Sequence, residues 1–86
     1  MKLKNGFVLR EIAGECVVVA VDKTLNFDGM ITLNETAKTI WLLLEKGAEI
    51  DEIVKVFTGE YNVSDEIARE AVENFVGRLT ELGFLE

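Results

Sequence analysis

The sequence has no proline, no histidine and a single cysteine, Cys16. Without proline, no segment reads as a polyproline linker. Without histidine, the chain lacks the usual general base, the commonest metal ligand and the usual near-neutral pH switch. One cysteine excludes an intrachain disulfide and a cysteine-rich metal site. No stretch approaches ~18 consecutive apolar residues, so no transmembrane helix and no membrane partner are expected. The opening Met1-Lys2-Leu3-Lys4-Asn5-Gly6 is charged but has no apolar h-region or cleavage site, and does not read as a secretory signal. With a free thiol, the chain is expected in the cytoplasm. No catalytic residue, cofactor or metal is expected, and the chain reads as a non-enzyme.

Basic residues are also few. The 86 residues hold nine Lys and Arg against 16 Asp and Glu, a net charge of −7. The excess is uneven: residues 1–50 carry seven acids and six bases, residues 51–86 nine acids and three bases. An acidic half repels phosphate, so nucleic acid is not an expected partner. What the chain does have is apolar content, 49% of residues, with 29% charged. That is a globular composition, and the length suits one domain over residues 1–86 with a limited core.

Two periodicities divide the chain near Leu33. Phe7-Val8-Leu9-Arg10-Glu11-Ile12 and Cys16-Val17-Val18-Val19-Ala20-Val21 are rich in β-branched and apolar residues and predict strands. The short link Ala13-Gly14-Glu15 makes them an antiparallel hairpin. The second run is apolar on both faces, as in a central or covered strand. Asp22 to Gly29 reads as a loop, and Met30-Ile31-Thr32-Leu33 as a short third strand. Three helices are then predicted. Asn34 caps the first, with Ala37, Ile40, Trp41 and Leu44 on one stripe and Lys46-Gly47 at its end. Ile50, Ile53, Val54, Phe57 and Tyr61 form the stripe of the second. Ser64 caps the third, whose main inward stripe is expected to be Ala68, Ala71, Phe75, Leu79 and Leu82. Gly83 ends it, and Phe84-Leu85 is expected to fold back. Strands followed by helices, without alternation, predict an α+β fold: a winged-helix-like, three-stranded antiparallel sheet followed by three helices.

Four segments resemble the PqqD-like proteins, named for a member of the pyrroloquinoline quinone biosynthesis pathway. They are Gly6-Phe7-Val8-Leu9-Arg10-Glu11-Ile12; Leu33-Asn34-Glu35-Thr36-Ala37 with Ile40-Trp41-Leu42-Leu43-Leu44; Glu52-Ile53-Val54 through Tyr61-Asn62-Val63; and Leu79-Thr80-Glu81-Leu82-Gly83-Phe84-Leu85. Their order and spacing, over nearly the whole chain, carry the resemblance. It implies a peptide-binding module that captures the leader of a ribosomally made precursor peptide and delivers it to a modifying enzyme, often a radical SAM protein. It also implies that the leader adds as a strand to the third strand, in a cleft shared with the third helix. The sequence departs from the well-known member in its acidic third helix and around Asn26-Phe27-Asp28-Gly29.

The residues support the same site. A short strand that ends at a helix N-cap is expected at a sheet edge, where unpaired N–H and C=O groups accept an added strand. This makes Met30, Ile31, Thr32 and Leu33 candidate peptide-binding residues. On the third helix Arg69, Val72 and Val76 form a narrower stripe beside the core stripe, and these are the candidate wall of the cleft. The alternative, that Val72 and Val76 widen the core contact, stays open. The same edge permits a homodimer. Trp41 is expected in the core, Cys16 as a small buried hydrophobe, and Asp51-Glu52 at a helix N-terminus rather than as an acid–base pair. Two other classes are compatible with the fold. A winged-helix DNA-binding regulator would need residues 64–82, with net charge −3, to approach phosphates. A structural docking subunit of a larger enzyme would use an apolar surface instead.

Overall fold

The computed structural model describes residues 1–21 and 30–86. The loop expected over residues 22–29, with Asn26 to Gly29 in it, lies outside the described residues. Three strands, β1 (Phe7–Ile12), β2 (Glu15–Ala20) and β3 (Met30–Leu33), precede three helices, α1 (Glu35–Glu45), α2 (Ile50–Glu60) and α3 (Asp65–Glu81). This is the expected α+β order. The strands form one antiparallel sheet in the order β1-β2-β3. The doubly apolar β2 is central, and among the described residues both its neighbours are edges.

A two-residue turn joins β1 to β2. Ala13 and Gly14 have φ of 52° and 82°. Left-handed backbone at both positions matches the right-handed twist of the flanking strands. Gly14 takes that conformation without strain, whereas the Cβ of Ala13 does not favour it.

Register decides which side chains enter the core. Leu9 lies opposite Val18, and Val18 opposite Ile31, while Cys16 pairs with Leu33. Opposed residues share a face, so Leu9, Val18, Ile31 and Leu33 point to the helices. Val18 is fully buried and Leu33 nearly so. Cys16 is half-buried, less enclosed than expected.

Asn34 is the single residue between β3 and α1, and its Oδ1 accepts from the Ala37 N–H at 2.8 Å. Ile40, Trp41 and Leu44 bury the inner stripe of α1. Trp41 is fully buried, as expected; its Nε1 donates to Glu45 Oε2 at 3.3 Å. At the start of α2 the Glu49 N–H donates to Glu52 Oε1 at 3.1 Å, so Glu52 serves the helix terminus. Ser64 Oγ caps α3 by accepting from the Ile67 N–H at 3.2 Å. After α3, Gly83 at φ 78° reverses the chain. Phe84 is thereby buried and stacks on Phe7 with ring centroids 4.1 Å apart, edge-on to Trp41 at 6.1 Å. Leu85 bridges to Leu3. Among the described residues no helix is long and apolar enough to cross a membrane.

One expectation about α3 is corrected. Its buried residues are Ala68, Val72, Val76 and Leu79, while Ala71 and Phe75 are half-buried and Leu82 is 39% exposed. The stripe expected to face inward is therefore rotated. The β-branched residues seat the helix against α2 and the core, and the larger Phe75 and Leu82 lie toward its flank.

Candidate functional site

The site begins with β3. It pairs with β2 on one side, and among the described residues no strand pairs with its other side. Its backbone there presents the N–H and C=O groups that another strand can satisfy. Met30 is 59% exposed and Ile31 half-buried, so the strand offers apolar surface with those groups.

Beside β3 runs a groove of about 380 Å³. All four residues of β3 border it, with Asn34 and Ala37 at one end. The opposite wall is α3, through Phe75, Arg78, Leu79 and Leu82. These sit at i, i+3, i+4 and i+7, one side of a helix. The strand half of the sequence-predicted site and α3 do share a cleft. Arg69, Val72 and Val76, however, do not border it. Val72 and Val76 are buried in the core, which settles for the core the alternative left open for them. Arg69 turns toward α2 and donates to Asp51 at 2.9 Å. That hydrogen bond, with the charge of Asp51, raises the Arg69 pKa above the ordinary guanidinium value.

Phe75, Arg78, Leu79 and Leu82 are the wall residues of α3 that the sequence reading did not assign to the site. The signal was present in the sequence. The helix carries two apolar stripes, and only one can meet the core. Arg78 is the one charged side chain bordering the groove among the described residues, and it makes no ion pair with any of them. A second depression shares Thr32, Leu33 and Asn34 with the groove and extends to the β1–β2 hairpin. Glu11, Glu15 and Glu35 line it, against Lys38.

The fold and this groove define a small α+β domain in which an open strand edge faces the flank of a long helix. The chain belongs to the PqqD family: the family described as Coenzyme PQQ synthesis protein D (PqqD) matches it over residues 15–85. Two solved structures are similar throughout. One is TbiB1 in complex with the TbiA(beta) leader peptide, with 28% identity, a TM-score of 0.82, and coverage of 100% of this chain and 95% of that one. The other is lasso peptide synthetase B1 complexed with the leader peptide, with 22% identity, a TM-score of 0.78, and coverage of 96% and 93%. The second likeness is one of fold. No curated protein matches the chain significantly.

Proposed function

We propose that this chain captures the leader of a ribosomally made precursor peptide by β-strand addition to β3 and presents it to a modifying enzyme, with a radical SAM protein as the first candidate. One observation carries the reading: an edge strand of four uncharged residues borders a groove whose opposite wall carries Phe75, Leu79 and Leu82 with a single charged residue, Arg78. In strand addition, main-chain hydrogen bonds supply affinity and alternate side chains of the peptide supply specificity. β3 offers the first, and the side chains of Phe75 and Leu82 offer apolar contacts for the second. The leader peptide in the structure with 28% identity supports the same class of occupant here. On this reading the chain performs no chemistry. It holds the substrate, and the partner enzyme, working with it in the cytoplasm, transforms the distal part.

The test is an NMR titration of the labelled protein with the leader of any short precursor frame found beside its gene. Amide shifts are expected at Ile31 and Thr32 and along Phe75, Arg78 and Leu82. Shifts confined to the outer face of α2, or none at saturating peptide, would refute the reading. A homodimer through β3 would use the same groups, so added leader should dissociate it in sedimentation experiments.

A further inference from the structure

The groove is nearly free of charge on a protein that is strongly acidic. Its single charged lining residue among the described ones, Arg78, stands on α3 between Phe75, one turn before it, and Leu82, one turn after it. The other arginine of α3, Arg69, is engaged by Asp51 at 2.9 Å. Arg78 has no such partner among the described residues. We propose that Arg78 reads a carboxylate, so that the peptide segment seated between β3 and α3 carries an Asp or Glu at one fixed position. This deepens the proposed function and rests on its reading that a leader occupies the groove.

The argument is one of charge complementarity and position. A peptide strand lying on β3 would cover the apolar flanks of Phe75 and Leu82 and strip water from the guanidinium between them. A cation desolvated without a partner is costly, whereas a bidentate carboxylate turns that cost into a directional contact. Elsewhere the same carboxylate is disfavoured. The depression at the hairpin end presents Glu11, Glu15 and Glu35 against Lys38, and the whole chain has a net charge of −7. An acidic residue is therefore favoured at one place and repelled at the others. That arrangement fixes register as well as affinity, because a strand slipped by two residues carries its acid away from Arg78.

The experiment is selection from a displayed library of randomised dodecapeptides on the immobilised protein, repeated on Arg78→Gln and Arg78→Glu. Wild-type protein should enrich Asp or Glu at one fixed position of an otherwise strand-like, apolar pattern. Arg78→Gln should lose that preference, and Arg78→Glu should replace it with Lys or Arg. The best acidic peptide should bind Arg78→Gln about tenfold more weakly, whereas a neutral groove-binding peptide should change by less than about twofold. Arg78 is exposed, and unchanged thermal unfolding verifies that the variants are folded. If peptides are enriched with no acidic position, or with one that Arg78→Glu leaves unchanged, the assignment to Arg78 is wrong while the groove reading stands. If no peptide is enriched, or the enriched ones do not shift the amides of Ile31 and Thr32, the groove reading fails and this inference falls with it.

Discussion

β1 and β3 are both edge strands of one sheet, yet β1 carries Arg10 and Glu11 in its distal half, whereas β3 reads Met-Ile-Thr-Leu without a charge. β1 is also anchored at its start. Phe7 stacks on Phe84, and the Leu3–Leu85 bridge ties the segments that precede β1 and follow α3. Charged side chains on an edge strand are a common guard against pairing with another chain. The difference teaches where a strand can be received. The longer edge carries charge, and the shorter, uncharged one lies beside a groove walled by Phe75, Leu79 and Leu82 of α3.

The largest effect should come from the contrast between the two stripes of α3. Val72→Asp places a carboxylate at a fully buried position with no partner, and should destabilise the protein by about 3–5 kcal/mol in chemical denaturation. Leu82→Asp puts the same group at the groove wall. There, stability should change by less than about 1 kcal/mol, while peptide binding weakens at least about tenfold, ~1.4 kcal/mol. If Val72→Asp is as stable as wild type and binds poorly, the assignment of the two stripes is reversed.

The two edges can be sharpened in the same way. Arg10→Thr combined with Glu11→Val removes the charges from β1, and should strengthen self-association at least about tenfold by analytical ultracentrifugation. A double variant that stays monomeric at millimolar concentration would show that charge is not what guards this edge. The smallest effect concerns the hairpin that joins β1 to β2. Ala13 holds a left-handed φ of 52°, which Asn tolerates better, and Ala13→Asn should stabilise the protein by about 0.5–1 kcal/mol. A loss of stability in thermal unfolding would mean that the turn does not keep this conformation in solution.

Much of this was legible in the sequence because local chemistry decided it. The bounds of β3, the caps at Asn34 and Ser64 and the reversal at Gly83 are each set by a few adjacent residues. The facing of α3 was not legible in that way. Ala68-Val72-Val76-Leu79 and Ala71-Phe75-Leu82 overlap in one wide apolar arc, and periodicity cannot rank two stripes within it. The sequence reading placed the bulky residues inward. Packing against α2 and the Trp41–Phe84 cluster instead takes the compact β-branched stripe and leaves Phe75 and Leu82 for the groove. For the same reason periodicity sets Arg69 rather than Arg78 beside the cleft, whereas Arg78 is the one that borders the groove. The two lie about half a helical turn apart around the axis.

The single-residue junction at Asn34 has a geometric consequence. Leu33 is buried at one side of it and the cap of α1 closes on the other, so β3 has no slack in which to slide. A chain that pairs with β3 inherits a fixed phase relative to the helices and leaves the domain at a constant point. Beyond that point, an extended chain advances about 3.3 Å per residue. Under the proposed function, the domain would then act as the zero mark of a ruler: the number of residues between the bound strand and a modified side chain would set a length that the partner enzyme's active site has to span.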